Sequence, residues 1–206
     1  YDIDVSFTDL ILSKENPTYA NDFGHSTNYF TCWLRNKNAA ENTVTYTNCV
    51  FPNGVCNNQY GKTVFDNCKF TNNSAGLSNL WNYGGETKVE ECTFTGTRGI
   101  KMYNEGTLQN PPSIEIKNTN FTGMTEKAAI VVSKAANVTL NTVGATDCTM
   151  GLLQKDIEGS TDEQKVTIEA NGTGISGDFN ITAQKDAEAA KNEFNISAGE
   201  FTSEVK

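Results

Sequence analysis

The sequence predicts an all-β solenoid, a fold in which short strands stack in parallel along one axis. Three observations predict it. A short motif recurs along most of the chain, apolar residues alternate within each copy, and only 37% of the 206 residues are hydrophobic. Such a lean composition suits a thin structure in which every residue lies near the surface, because a compact globular domain of this length needs a larger core.

The repeated motif is eight residues long and is clearest at Val44-Thr-Tyr46-Thr-Asn48-Cys49-Val-Phe51. Further copies begin at positions 63, 87, 114, 138 and 194, and a partial copy begins at 166. The third residues of successive copies are separated by 19 to 28 positions. These irregular periods indicate that each copy begins one solenoid coil, with loop insertions of variable length.

Each copy predicts two strands joined by a bend. Apolar residues or Thr occupy the first and third positions, and mostly apolar residues occupy the sixth and eighth. Each pair alternates with a period of two, as a strand with one buried face does. The phase slips by one residue between the pairs, beside Asn48, Asn67 and Asn118. Because Asn tolerates the left-handed backbone conformation, we expect a sharp bend there, with both strands facing one interior.

A third strand is predicted after a variable gap in each coil. Its signal is a small residue followed by an aliphatic one, as in Gly76-Leu77, Gly99-Ile100, Ala129-Ile130 and Gly151-Leu152. Three short strands in each coil would build three parallel sheets around a narrow core. The rest of the coil supplies the long crossover that parallel pairing requires.

The repeat resembles the coil of right-handed parallel β-helices of the pectate-lyase-like superfold. The resemblance is carried by Cys68-Lys-Phe70-Thr-Asn and Cys92-Thr-Phe94-Thr-Gly, followed by Gly-Leu and Gly-Ile pairs. It implies a β-helix of about seven coils over residues 44–206, continuing in a longer parent protein. Residues 1–43 fit the repeat less well, and we interpret them as an N-terminal cap over the open end of the solenoid.

The closing phrase Asn195-Ile-Ser-Ala-Gly-Glu-Phe-Thr-Ser203 is similar to a recurring element of surface proteins of Gram-positive gut bacteria. That similarity implies an extracellular location at the cell surface or cell wall.

Composition restricts the partners. The formal net charge is −9, so nucleic acid and anionic membranes would repel the chain. The longest apolar run, residues 128–132, is too short to cross a bilayer, and we expect no membrane insertion. The six Cys form no CxxC pair and only one His is present, so we expect neither a metal nor another cofactor. The fragment is predicted to be monomeric.

Three sets of side chains recur at fixed motif positions and are predicted to stack as structural ladders inside the solenoid. The Cys set has alternative interpretations as a metal site, a redox site or a disulfide. Small residues fill the same position in other copies, which favours a stack of small buried residues. A disulfide bridge between Cys32 and Cys56 is a further alternative. The sets are Cys49, Cys68 and Cys92; Asn48, Asn67 and Asn118; and Phe51, Phe70, Phe94, Phe121 and Phe201.

The candidate ligand-binding site lies after the third strands of two neighbouring coils. Aromatic rings beside amides suit a sugar face or a protein hot spot, and solenoids build binding surfaces from loops on one flank. The alternative is that the rings pack over a coil edge. The site residues are Trp81, Asn82, Tyr83, Tyr103, Asn104 and Glu105.

We assign no catalytic residue, because no carboxylate pair or calcium-binding Asp cluster with a basic residue is recognisable. Asp66, Glu90, Glu91 and Glu115 are interpreted as a solvated acidic face.

The sequence therefore predicts a non-catalytic segment of an adhesin-like protein. Its partner would be a host glycan or a host protein such as an immunoglobulin or mucin. Two alternatives remain. A polysaccharide lyase or glycoside hydrolase predicts a carboxylate-lined groove, whereas a structural spacer predicts shielded loops.

Overall fold

The computed structural model describes residues 4–13, 30–36, 42–59, 61–73, 78–82, 84–102, 112–124, 129–132, 136–154, 166–171, 176–183 and 193–196. Every regular element in these ranges is a β-strand. The strands form one curled sheet, and their pairings are parallel. The predicted all-β class with parallel strands is therefore confirmed. Within these ranges no helix is long and apolar enough to span a membrane.

The strands in chain order are β1 (Val5–Thr8), β2 (Phe30–Asn36), β3 (Thr43–Thr47), β4 (Val50–Phe51), β5 (Gly54–Gln59), β6 (Lys62–Asp66), β7 (Lys69–Phe70), β8 (Leu80–Asn82), β9 (Glu86–Glu90), β10 (Thr93–Thr95), β11 (Ile100–Met102), β12 (Ser113–Thr122), β13 (Ile130–Val132), β14 (Ala136–Gln154), β15 (Val166–Asn171), β16 (Ser176–Ala183) and β17 (Glu193–Ile196). Most of them are short.

The pairings fall into three series. The first series runs through β1, β3, β6, β9, the start of β12, the start of β14, β15 and β17. The second runs through β4, β7, β10 and the later parts of β12 and β14. The third runs through β2, β5, β8, β11, β13, the end of β14 and β16. Equivalent motif positions are thus brought side by side in each series.

The bends contain the left-handed backbone that the sequence predicted. Asn48, Asn67 and Asn118 have φ angles of 56°, 50° and 48°. Glu91 and Thr142 adopt the same conformation in the copies that lack Asn, with φ of 54° and 55°. The requirement is therefore for a backbone conformation at this position, and the side chain is free to vary.

The predicted location of the Asn ladder inside the solenoid is wrong. Asn48, Asn67 and Asn118 are exposed, because both flanking strands turn their alternate residues inward and the bend residue between them faces solvent. Stacking along the axis does occur outside: Asn67 Nδ2 donates to Asn48 Oδ1 at 2.7 Å, and Asn48 Nδ2 donates to Asp9 Oδ1 at 3.0 Å. Glu91 takes the next position and interrupts the amide series.

The repeat begins earlier than residue 44, where the sequence analysis placed its start. β1 pairs with β3 in register, and Ile11 bridges to Val50. Asp9, with φ of 57°, occupies the bend position. Residues 5–12 therefore form another copy of the motif within the segment that was interpreted as a cap. The capping role itself stays a prediction.

The core consists of stacked side chains along the axis. Phe51, Phe70, Phe94 and Phe121 are each 0% exposed. Their ring centroids are 4.9, 4.3 and 4.8 Å apart in succession, with the rings within 18° of parallel. Phe201, the last predicted member, lies outside the described residues.

A second aromatic column, not predicted from the sequence, lies in the first series. Phe7 stacks on Tyr46 at 5.1 Å, and Tyr46 stacks on Phe65 at 5.2 Å. The rings of Tyr46 and Phe65 each make a T-shaped contact with the Phe51 ring, with centroids 5.4 and 5.7 Å apart. Offset and edge-to-face contacts of this kind stabilise a core beyond the area they bury.

Replacing Phe70 by Ala should lower the free energy of unfolding by about 3–5 kcal/mol, because the ring lies between Phe51 and Phe94 and leaves a cavity. Urea denaturation followed by circular dichroism measures the loss. Thr93→Ala, an exposed change on the next strand, should stay within about 0.5 kcal/mol of wild type. Equal effects of the two changes would contradict the stacked core.

Candidate functional site

Trp81 is held on the outer face of a rigid strand. Its neighbours on β8, Leu80 and Asn82, are both 0% exposed and face the core, so the residue between them faces outward. Trp81 itself is half-buried. The predicted aromatic anchor therefore lies within a paired strand, whereas the sequence placed it in the loop after the strand.

Asn79 fixes the start of this strand. Its side chain is 0% exposed, and its Nδ2 donates to the carbonyls of Thr95 at 3.0 Å and Arg98 at 2.9 Å. Its Oδ1 accepts from the backbone N–H of Asn72 at 2.7 Å. One buried amide thus anchors the backbone two residues before Trp81.

Lys101 lies directly beside Trp81 on the next strand. The two residues are register partners of β8 and β11. The Lys101 Nζ lies over the indole at 4.4 Å from the ring centroid, a cation–π contact worth about 0.5–1 kcal/mol at an exposed site. Sequence reasoning missed Lys101 as a site residue. The available signal was its motif position, since Lys101 follows Ile100 as Trp81 follows Leu80.

The prediction that Asn82 binds ligand is wrong. Its side chain is 0% exposed and belongs to a buried hydrogen-bond network. Asn57 Nδ2 and Thr87 Oγ1 donate to Asn82 Oδ1 at 2.8 and 2.9 Å, and Asn82 Nδ2 lies 3.5 Å from the Met102 sulfur. The physical reason is the alternation of the strand, which turns Asn82 inward when Trp81 turns outward.

The buried network also includes Thr63, whose Oγ1 donates to Asn57 Oδ1 at 3.2 Å. Asn57 Nδ2 also reaches Thr87 Oγ1 at 3.0 Å. Buried amides are tolerated here because their polar atoms find partners.

The remaining members of the predicted site, Tyr83, Tyr103, Asn104 and Glu105, lie outside the described residues. Their part in a site stays a prediction. Among the described residues, the structure brings Trp81 together with Lys101.

The acidic residues of the first series lie on a face of mixed charge. Glu90 Oε1 lies 3.0 Å from Lys117 Nζ, and Glu90 also contacts Lys88 on its own strand. Lys62 pairs with Glu86 at 3.5 Å. Hydrogen bonds from Lys88 and Lys117 lower the pKa of Glu90, and the bond to Glu90 raises the pKa of Lys88. The carboxylates therefore alternate with lysines along this face.

Metal ligation has no support in the described part of the chain. No cluster of His, Cys, Asp and Glu in those ranges is arranged to hold a metal ion.

The three Cys of the predicted column are buried free thiols. At each bend the backbone N–H groups alternate in direction: Asn67 donates to the Glu90 carbonyl of one neighbouring strand, and Lys69 donates to the Cys49 carbonyl of the other. The N–H of Cys68 between them instead meets the Cys92 sulfur at 3.3 Å. The side chain of one copy thus satisfies a backbone donor of the copy before it.

Thr119 performs the same task in the next copy of the motif. Its Oγ1 accepts from the Cys92 N–H at 3.3 Å and donates to the Lys117 carbonyl at 2.9 Å. The Cys92 sulfur lies 3.2 Å from the equivalent Glu90 carbonyl. Contact with the Cys68 thiol together with burial raises the pKa of Cys92, and burial raises that of Cys49. The hydrogen bond with Cys92 lowers the pKa of Cys68. The raised pKa values suit Cys49 and Cys92 to a structural role, since nucleophilic and metal-binding chemistry requires the thiolate.

The strand register does not place Cys32 opposite Cys56, the two residues of the possible disulfide bridge. Cys32 pairs with Val55 and Cys56 pairs with Trp33, which displaces the two cysteines by one position.

Comparison with known proteins gives no relative: the chain matches no protein-family model, no curated protein and no solved structure.

Asn82→Ala should lower the free energy of unfolding by about 1–3 kcal/mol, because Asn57 and Thr87 each keep a buried donor without its acceptor. Thermal and urea denaturation provide the measurement. The matched change Lys101→Gln, on the outer face, should have a much smaller effect. If the Asn82→Ala protein kept its stability but lost ligand binding, Asn82 would belong to the binding site and the prediction would be contradicted.

Glu90 should stabilise the protein in a pH-dependent way. Because its folded-state pKa is lowered, its contribution is present above the unfolded-state value of about 4.3 and is lost as pH falls through the folded-state value. The difference in unfolding free energy between wild type and Glu90→Gln should be at most about 1 kcal/mol at neutral pH. It should shrink in acid and in about 1 M salt. A difference that is constant with pH would contradict the ion-pair assignment.

Proposed function

We propose that this chain is a segment of a right-handed parallel β-helix of about seven coils and three sheets. In this proposal it serves as a non-catalytic binding segment of an adhesin-like protein at the cell surface. The three series of parallel pairings and the left-handed bends support the architecture. A solenoid of this kind exposes long, rigid faces on which side chains recur at regular intervals.

The observation that carries the proposed binding function is the outward Trp81 with Lys101 over its ring. Trp is among the residues most enriched at binding hot spots, since a rigid indole offers a large contact area at little entropic cost. Both partners lie on paired strands, and Asn79 anchors the strand of Trp81. The pair is therefore positioned before any ligand arrives.

The ligand we propose is a host glycan or a host protein such as an immunoglobulin or mucin. The indole can stack on the C–H face of a sugar ring or on an apolar side chain of a partner protein. The Lys101 ammonium can bind an acceptor oxygen at the edge of that contact. Neither step needs a cofactor or a covalent intermediate.

The experiment is a binding screen of the purified chain against a glycan array and a panel of secreted host proteins. A saturable partner should lose at least about tenfold in affinity with Trp81→Ala, equivalent to about 1.4 kcal/mol. Thr93→Ala, exposed on the second series, is the matched control and should bind like wild type. Circular dichroism and the melting temperature verify that each variant is folded.

The other outcomes of the screen favour different functions. A partner retained by Trp81→Ala would place the site elsewhere and contradict this proposal. A screen with no partner at all would favour the structural spacer. Release of reducing sugars from a bound glycan would favour the polysaccharide lyase or hydrolase.

A further inference from the structure

The first copy of the motif forms an open edge of the sheet. Among the described residues, β1 pairs with β3 on one edge and with no strand on the other. The Asp9 N–H donates to the Thr47 carbonyl at 3.1 Å, so the fourth residue of a motif copy directs its backbone toward the preceding copy. Thr8 is the fourth residue of the first copy, and Ser6 lies two positions earlier. The backbone groups of both therefore point to the open edge.

The inward side chains at this edge are only partly covered. Val5 and Leu10 are 37% and 41% exposed, whereas Thr63 and Cys68, at the same motif positions two copies later, are 0% and 1% exposed. Phe7, between them in the first copy, is half-buried. A sheet edge that presents both backbone groups and apolar side chains is a surface to which a further strand can add.

Two carboxylates flank the edge strand. Asp4 directly precedes β1 and Asp9 directly follows it, and both are exposed. Asp4 Oδ1 accepts from the Thr43 N–H at 2.8 Å, and Asp9 Oδ1 accepts from Asn48 Nδ2 at 3.0 Å. The two residues are five positions apart, or about 17 Å along an extended strand. Residues 4–13 contain no Lys or Arg, so the open edge is locally anionic.

From these features we infer that the open edge of β1 binds an extended peptide segment of a partner protein, with apolar residues at alternate positions and Lys or Arg at both ends. The segment adds as a parallel strand. Its apolar residues cover Val5 and Phe7, and its basic residues reach Asp4 and Asp9. This inference goes beyond the proposed function, because it concerns a different surface and does not involve Trp81.

Continuity with the existing pairings sets the direction of the added strand, and charge selects the occupant. The neighbouring pairings of the first series are parallel and in register, so a parallel strand on β1 repeats an arrangement already present. A second copy of this chain is a poorer occupant. Two β1 edges would bring Asp4 and Asp9 of both molecules together, and each chain has a net charge of −9.

The test measures the binding of three fluorescently labelled synthetic peptides to the purified chain by anisotropy. The first is Lys-Val-Thr-Val-Thr-Lys with blocked termini. In a parallel alignment its two Val lie opposite Val5 and Phe7, and its two Lys lie opposite Asp4 and Asp9. The second, Lys-Thr-Val-Thr-Val-Lys, has the same composition and charge but suits the antiparallel alignment. The third replaces both Lys of the first by Glu.

We expect saturable binding of the first peptide and at least about tenfold weaker binding of the other two. The affinity for the first peptide should fall as salt is raised from about 0.05 to about 0.5 M, because the attracting charges are exposed.

Variants of the chain locate the site. Asp4→Asn/Asp9→Asn keeps both Oδ1 acceptors while removing two charges, and it should raise Kd at least about fivefold. Ser6→Pro removes one N–H from the open edge, a change that edge strands tolerate, and should abolish binding. The matched control Glu86→Gln/Glu115→Gln removes two exposed carboxylates elsewhere on the first series. Its Kd should change less than about twofold. The melting temperature verifies that each variant is folded.

The Trp81 surface is tested in parallel. Trp81→Ala should leave the Kd for the first peptide unchanged, so failure here and failure of the proposed function are distinguishable. Loss of peptide binding in this variant would assign the peptide to the Trp81 surface and overturn the inference.

The remaining outcomes also overturn it. No binding of the first peptide would refute the open edge as a binding surface, and stronger binding of the second would contradict the parallel direction. Equal binding of the Glu peptide, or equal effects of the two double variants, would show that Asp4 and Asp9 play no part. Concentration-dependent dimers that Ser6→Pro dissociates, measured by analytical ultracentrifugation, would make a second copy of the chain the occupant.

Discussion

The structure depends on one constraint: each strand must pair its backbone, in parallel and in register, with the equivalent strands of the motif copies before and after it. This places identical motif positions about 4.8 Å apart. Side chains that recur in the sequence then become neighbours in space. Stacked Phe rings inside, hydrogen-bonded Asn side chains at the bends, and alternating Lys and Glu outside all follow from this register.

At the bend, the backbone pairing between neighbouring strands is interrupted locally. The hydrogen bonding there explains the column of Cys and Thr side chains. A left-handed residue reverses the alternation, and the backbone N–H after it faces inward without a carbonyl partner. Cys92 and Thr119 each accept that N–H from the preceding copy, and each also reaches the carbonyl two residues before it. A Cys column that suggested a metal or redox site thus belongs to backbone hydrogen bonding. A small side chain with one donor and one acceptor is what the position requires.

Much of the fold was accessible from the sequence because the relevant signals are local. Period-two alternation located the strands and the Phe column, and the phase slip located the bends. The predictions that were wrong or missing concern the direction in which a side chain points, or a partner that is distant in the sequence. Asn48 stacks as expected but faces outward, and Asn82 faces the core, because a single step along a strand changes the face. The stacking of Phe7 on Tyr46 was not predicted, because 39 positions separate these register partners in the sequence. Lys101 became part of the candidate site only through its pairing with Trp81.

The most direct test of the account is a set of cross-strand nuclear Overhauser effects in the isotopically labelled chain. The first series predicts contacts between backbone protons of Thr63, Thr87, Ile114 and Val138 in succession, in the pattern of parallel strands. Strong Hα–Hα cross-peaks between these strands should be missing, since such peaks belong to antiparallel pairs. The aromatic protons of Phe70 and Phe94 should also show mutual contacts. Strong interstrand Hα–Hα peaks, or contacts displaced from this register, would contradict the parallel, in-register strands.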